Sequence, residues 1–505
     1  MKIVAEDWLA YHAEFTPMQE AMHDLNSDRH FTYAEMHDRV NKVTLYLRHG
    51  LKVGDGDRVA VVANNDSDVF EIQFACRRIG AIFLPINWRL AVPEWEYICK
   101  DASPAALMYG LEFVDEVAQL SKLCDIPALA TLNNGGSSDY ENGIAAASGE
   151  LDTPVRYLDD IGTIMYTSGT TGRPKGAMIT YAMGLFNAVQ STAMVDLTHQ
   201  SKNIVFLPTF HTGGLNVYAN PIFHSGGCNV IMRVFDPAYF LELLTDKVLC
   251  ITHALGVPTN FLMMAQEPGF KDADMSHIVC ISVGGAAAPA ALIEEYGKIG
   301  INLQQMWGMT ETGPLGLALT GDKALEKNGS SGKPMMHVQM KICEEDGSPT
   351  PIGEVGELMI KGPSVTPGYW NREAENHTFF DDEGYFHTGD AARMDEDGYY
   401  YIVDRWKDMF ISGGENVYPV EVENVIYQLG GVLENAVIGI PDDKWGEVGR
   451  AFVVTKPGSN IDEGAVIDHC KSQLATFKVP KQVRMIEELP HNATGKILKH
   501  QLPRE

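Results

Sequence analysis

Met165-Tyr166-Thr167-Ser168-Gly169-Thr170-Thr171-Gly172-Arg173-Pro174-Lys175-Gly176 decides how this 505-residue chain is read. Between Thr167 and Gly176 stand four hydroxyl side chains, three glycines and one lysine. The apolar run Ile161 to Tyr166 ahead of them reads as a buried strand. A strand ending in small, hydroxylated, glycine-rich sequence offers an anion backbone N–H groups, O–H donors and one long cation. That is the chemistry of a polyphosphate cradle. It is not a Walker A loop, which closes on Gly-Lys-Ser/Thr. Pro174 stands where the second glycine belongs, and Gly176 follows Lys175, so no hydroxyl takes the magnesium-binding place.

Outward from this run, the N-terminal part alternates strands and helices. Val59 to Ala63 reads as a strand, Asn64-Asn65-Asp66 as a turn, Asp68 to Arg78 as a helix and Ala81 to Pro85 as the next strand. Such β–α alternation implies α/β architecture, a parallel sheet with helices on its faces. Asn133 to Asp139 reads as a loop, and the chain between it and the phosphate loop is weakly patterned. Further alternating units include Asn203 to Leu207, Cys228 to Met232 and His277 to Val283. From about Val338 the character changes. Val338 to Ile342 and Gly356 to Ile360 alternate with period two between Gly/Pro/Asp turns, which is antiparallel sheet or barrel sequence. The last hundred residues again mix short strands and helices. Pro419 opens a helix there, with Val422, Val425, Ile426 and Leu429 as its apolar stripe.

Composition bounds the function. Hydrophobic residues make up 45% of the chain and glycines number 48, as in a globular enzyme with many tight turns. Sixty-seven acids against 39 bases give a net charge of −28, which argues against nucleic-acid or anionic-membrane binding. Any site for a nucleotide must then be a local basic exception. The eight cysteines show no paired metal spacing and read as reduced core thiols of a cytoplasmic protein. The acidic N-terminus lacks the pattern of a signal peptide, and no run approaches a membrane span.

Four further segments carry chemistry only in company: Trp307-Gly308-Met309-Thr310-Glu311-Thr312-Gly313, after a strand expected to end near Gln304-Gln305; Gly384 to Asp390; Asp404 to Asp408; and Leu489 to Lys499. Singly they read as a capped turn and solvated surface. Together, in this order behind the glycine-rich loop, they resemble the adenylate-forming superfamily of acyl-CoA and aryl-CoA ligases, luciferases and peptide-synthetase adenylation domains. The match runs from about Thr163 to Lys499. The resemblance implies a large N-terminal domain, 1–406, of parallel αβαβα-type sheets with a distorted β-barrel part at about 338–403. A small mobile α+β domain, 407–505, would carry the catalytic lysine.

The same resemblance implies the site residues. Thr167, Ser168, Gly169, Thr170, Thr171, Gly172 and Lys175 would hold the ATP phosphates. Gly285, Ala286, Gln305 and Met306 would border adenine, and Trp307 would stack on it where the family usually has tyrosine. Asp390 would accept the ribose hydroxyls with Arg405 in support. Thr310 would donate to a phosphate, and Glu311 would hold Mg²⁺, an ion suited to one carboxylate plus phosphate oxygens and waters. Lys496 would bridge the substrate carboxylate and the α-phosphate. Lys407 would be the hinge, and Ser412, Gly413 and Gly414 would line the coenzyme A channel. His211, Gly213, Val283, Gly284, Gly308 and Met309 would form the acyl pocket, with His211 also a catalytic residue that gates thiol entry.

The activity implied is an ATP-dependent, AMP-forming acid:CoA ligase with ATP, Mg²⁺ and coenzyme A as its cofactors, working as a monomer or homodimer. Phe210-His211 stands where amino-acid-activating relatives carry Phe-Asp, so no counter-charge for a substrate ammonium is present there. Leu429 to Leu433 lacks the serine of a carrier module. No arginine is placed to anchor a second carboxylate, which disfavours malonate-type acids. The expected substrate is an aromatic acid such as ferulate or coumarate. Short-to-medium fatty acids are the alternative, and a luciferase-like oxygenase or a non-catalytic adenylate-binding relative are the more distant readings.

Overall fold

The computed structural model describes residues 2–167, 174–286, 288–405, 408–412, 415–442, 444–491 and 497–504. Of residues 404, 405, 415 and 416 only the backbone is described. Its strands form four sheets.

The first sheet has Arg58–Val62 at its centre, flanked by Ala106–Gly110 and Ala128–Leu132 on one side. On the other side lie Ile82–Pro85, Ile161–Thr167 and Lys175–Thr180. All neighbours are parallel except the last pair, an antiparallel hairpin. Arg58–Val62 is buried on both faces over four of its five residues, which is why it reads as a continuous apolar run rather than an alternating one. Helix Ser67–Ile79 follows it, N-capped by Asp66 and closed by Gly80 in the left-handed region.

The second sheet runs through nine strands. His253–Gly256, Lys202–Val205 and Cys228–Ile231 lie near its middle, and the hairpin Glu20–Asp24/Arg29–Thr32 closes one edge. At the other end stand Cys280–Val283, Gln304–Gly308 and the antiparallel Leu315–Ala318. Asn65 ties the two sheets together from the turn after Arg58–Val62. Its buried amide donates to the carbonyls of Leu207 at 3.0 Å and Met232 at 3.2 Å, and its oxygen accepts from the Thr209 N–H at 3.0 Å. The carboxyl ends of both parallel sheets are thereby held side by side, the place where open α/β sheets bind ligands.

The antiparallel region is a four-stranded sheet in the order Gln339–Cys343, Gly356–Lys361, Phe386–Met394, Tyr400–Arg405. The fourth sheet begins at Phe410–Ser412 and contains only residues beyond it, the long pair Val432–Asp442/Gly446–Thr455 at its core. Helix Pro419–Tyr427 packs Val422, Val425 and Ile426 against it, with Pro419 in the first turn.

Two expectations need correction. Gln304 and Gln305 begin a strand rather than end one. Residues 304–308 pair with Cys280–Val283 on one side and Leu315–Ala318 on the other, so Trp307 lies within a strand. The stretch after Asn133–Asp139 contains helix Asp139–Ala146, capped by Ser138. Its Tyr140 is fully buried and donates to Glu71 Oε2 at 2.7 Å. All eight cysteines are free thiols, six of them buried.

Candidate active site

Ser168, Gly169, Thr170, Thr171 and Gly172, expected to hold phosphate, lie outside the described residues. Their anchors do not. Thr167 and Lys175 face each other as cross-strand partners at the open end of the hairpin. Tyr166, one residue earlier, donates its hydroxyl to Asp101 Oδ2 at 2.6 Å. Burial first, then this bond, push the phenol far above its usual range. Asp101 also holds Arg372 at 3.2 Å, so the strand reaches the loop in a fixed position. The Lys175 ammonium lies 4.6 Å from the ring centre of Phe379 and 5.5 Å from that of Tyr369, a cation–π contact.

Glu311 stands opposite. Strand Gln304–Gly308 ends in the turn Thr310–Thr312, where the Thr312 hydroxyl accepts from the Met309 N–H at 3.0 Å. This turn carries Glu311, only 4% exposed, toward the hairpin. Thr167 donates to Glu311 Oε1 at 3.1 Å and Tyr369 donates to the same oxygen at 2.8 Å. Residues expected to hold phosphate and metal therefore meet across 144 positions of sequence. The segment 364–370 clamps them. Thr366 N–H donates to the Glu311 carbonyl at 2.8 Å, and its hydroxyl donates to the Met178 carbonyl at 2.7 Å. Among the described residues, both hydroxyls on the Glu311 carboxylate go to one oxygen. The other oxygen fits Mg²⁺, an ion that takes one carboxylate oxygen and keeps most of its shell in water and phosphate.

Trp307 is 8% exposed and Asp390 5%. The indole Nε1–H donates to Asp390 Oδ2 at 2.8 Å, and Asp390 N–H donates to the Thr388 hydroxyl at 3.1 Å. The Asp390 backbone pairs with Arg405, whose side chain is not described. Tryptophan at this position thus brings an N–H to the aspartate expected at the ribose. Gly316 makes room for it: a Cβ there would come within 2.7 Å of the indole.

On the acyl side, His211 accepts the Gly213 N–H on Nδ1 at 3.1 Å. In the neutral ring the proton then sits on Nε2, which makes His211 a donor at that atom rather than a base. Val283 is packed into the core of the nine-stranded sheet. Several small residues are small for a backbone reason. A Cβ on Gly308 would meet the Pro314 carbonyl oxygen at 1.8 Å, one on Gly214 the Leu207 and Pro208 carbonyls at 2.3 Å, and one on Gly284 the Met306 carbonyl at 2.9 Å. Gly308 and Gly284, expected in the acyl pocket, are thus glycine at least in part for close chain packing.

Matches to known proteins cover nearly the whole chain. The model of the AMP-binding enzyme family matches residues 9–370, and that of the AMP-binding enzyme C-terminal domain matches residues 421–496. The chain belongs to the AMP-binding enzyme family. Within the family, it is 39% identical to a feruloyl-CoA synthase of Amycolatopsis sp, across 94% of this chain and 93% of the relative. It is 36% identical to the long-chain-fatty-acid–CoA ligase FadD13 of Mycobacterium tuberculosis, across 97% and 96%. The fold superposes on ATP-bound MatB from Rhodopseudomonas palustris with a TM-score of 0.90 at 31% identity, covering 99% of this chain and 98% of that one. Among the described residues no helix is long and apolar enough to cross a membrane.

Lys407, Gly413, Gly414 and Lys496 lie outside the described residues. Ser412 is described and buried at the end of its strand. Of the residues expected at adenine, Gly285 and Ala286 follow the strand end at Val283, Gly285 with φ +76°, and Gln305 and Met306 are buried in the next strand. His491, just before the expected catalytic lysine, sits 3.1 Å from Glu434 Oε1. That oxygen also accepts from Thr259 Oγ1 at 3.2 Å, from helix Pro258–Met264 of the large region. The hydrogen bond to Glu434 raises the His491 pKa above its ordinary value. Sequence reasoning missed Tyr369, Thr366 and Glu434. An aromatic pair after Gly368 and a glutamate in an apolar strand announce no chemistry until the fold brings Glu311 and His491 beside them.

Proposed function

We propose that this protein is an AMP-forming acid:CoA ligase whose acid is aromatic, of the ferulate type. The observation that carries the ligase reading is the convergence of Thr167 and Tyr369 on Glu311 beside the phosphate-loop hairpin. The feruloyl-CoA synthase relative supports the acid.

A carboxylate is a poor electrophile, and joining it to AMP gives its oxygen a good leaving group. In the first step the acid oxygen attacks the α-phosphorus of ATP and pyrophosphate leaves. Thr167, the loop 168–172 and Lys175 hold the departing phosphates, and Thr310 donates to the α-phosphate. Asp390 and Arg405 hold the ribose, with Trp307 positioning Asp390. Glu311 would hold Mg²⁺, which would offset phosphate charge. Lys496 bridges the carboxylate and the α-phosphate. In the second step the coenzyme A thiol attacks the acyl carbon and AMP leaves. The 407–505 domain turns about Lys407 between the steps, taking Lys496 out and bringing Ser412, Gly413 and Gly414 to the pantetheine arm. His211, Gly213 and Met309 border the acid.

The test is AMP release from ATP and Mg²⁺ across acids from acetate to palmitate, with benzoate, coumarate, ferulate and malonate, with and without coenzyme A. Release that requires coenzyme A and is fastest with ferulate or coumarate is the expected result. A maximum at a fatty acid would favour the second reading, supported by the FadD13 relative. Lys496→Ala should slow adenylation by about 10²–10³ while largely sparing thioester formation from a supplied adenylate. Equal loss in both half-reactions would remove the two-orientation account.

A further inference from the structure

Far along the nine-stranded sheet, the edge hairpin Glu20–Asp24/Arg29–Thr32 places His23 and His30 opposite each other as cross-strand partners. Their rings stack with centroids 3.8 Å apart and 21° between planes. Asp28, in the turn with φ +52°, brings Oδ1 to 3.7 Å from His23 Nε2 and 3.7 Å from His30 Nε2. Ligand atoms of all three residues lie within 4.8 Å of one another, the one such group among the described residues.

A fourth residue orients the set. Glu20 Oε1 lies 2.7 Å from His30 Nδ1, so the proton sits on Nδ1 and the Nε2 lone pair is free for an ion. Glu20 is itself held through Oε2, by Lys202 at 3.4 Å and Cys228 at 3.5 Å. A carboxylate behind a ligating imidazole fixes its tautomer and raises its basicity. His23, its side chain 13% exposed, is held against the sheet beside His30.

We propose that His23, His30 and Asp28 form a binding site for a divalent transition-metal ion, Zn²⁺ by its ligand chemistry, with Glu20 as the positioning residue. Two imidazoles and a carboxylate suit zinc, and water completes the tetrahedron. An ion lies in the plane of each imidazole that binds it. Ligation therefore requires the exposed His30 ring to turn out of the stack. The bound ion would staple the outermost strand, Arg29–Thr32, to its neighbour, at an edge otherwise open to pairing and fraying. Mg²⁺ at Glu311 is a separate matter, since magnesium prefers oxygen ligands.

The experiment titrates metal-stripped, nucleotide-free full-length protein with Zn²⁺ by calorimetry and follows Tm. His30 and Asp28 side chains are 53% and 90% exposed, so His30→Ala and Asp28→Ala leave the core intact. The wild type should bind about one Zn²⁺ with a rise in Tm. His30→Ala should lose both, and Glu20→Gln should weaken binding about 10–100-fold. Zinc binding and Tm response identical in wild type and His30→Ala, or no binding in either, would overturn the proposal.

Discussion

Glu311 is a side chain that sequence makes only half readable. Its expected role comes from its place after Gly308-Met309-Thr310, and that of Thr167 from the loop. Tyr369 has no such marker, because it lies 58 positions away and reaches Glu311 only through the clamp at 364–370. Two hydroxyls on one oxygen of a buried carboxylate stand in for solvent. Tyr369→Phe removes one donor without changing ring volume. A hydrogen bond to a buried charged group contributes about 1.5–3 kcal/mol, so the variant should lose roughly that in urea unfolding without ligands. Mg²⁺ and ATP should recover part of the deficit, because a cation beside Glu311 replaces the missing donor. A deficit unchanged by Mg²⁺ and ATP would separate Glu311 from the metal. Trp307 is similar. Sequence marks it as an aromatic surface, but its N–H on Asp390 depends on strand pairing that no local pattern reveals.

Among the elements, those with strong periodicity are plain from sequence. Helix Ser67–Ile79, helix Pro419–Tyr427 and the pair Gln339–Cys343/Gly356–Lys361 each carry caps, proline or alternation that local physics reads directly. Helix Asp139–Ala146 is hidden because it spans eight residues, contains Gly143 and follows a glycine-rich turn. Its order comes from Tyr140 on Glu71 and the Ser138 cap. The glycines mislead for a related reason. Open space and close backbone approach both demand glycine, and only coordinates tell them apart. Gly308 pairs with Leu315 across a tight hairpin, and its missing Cβ is where the Pro314 carbonyl oxygen lies. Gly308→Ala must part the two strands and should cost at least about 1–3 kcal/mol, seen as a fall in Tm with every acid equally affected. On Gly213 a Cβ would approach only the His211 and Leu207 side chains, at 3.2 and 3.4 Å. Gly213→Ala should therefore keep most of its stability and change relative kcat/KM among acids. The reverse pattern would return Gly308 to the acyl pocket.

For the molecule as a whole, sequence indicates two regions and their order but nothing of how they touch. Asn65 joins the two parallel sheets through backbone carbonyls, which have no sequence signature. Glu434 similarly links the C-terminal sheet to helix Pro258–Met264 through Thr259 while holding His491. This junction titrates. Because the His491 pKa is raised by Glu434, the protonated ring is the form that the folded arrangement favours. Its contribution is fully present below the ordinary histidine value near 6.5 and is lost as pH rises through the higher folded value. Wild-type protein should therefore gain stability over Glu434→Gln at pH 6, and the gap should shrink by pH 8.5. The gap is read from Tm at each pH in the same buffer ionic strength. Glutamine keeps the acceptor for Thr259, so any pH-independent difference reports the amide itself, whereas the pH-dependent part reports the charge. If the gap widens with rising pH, Glu434 is not acting on protonated His491. If it shrinks as expected, acidity strengthens the His491–Glu434 pair inside the C-terminal region, on the same carboxylate oxygen that accepts from Thr259.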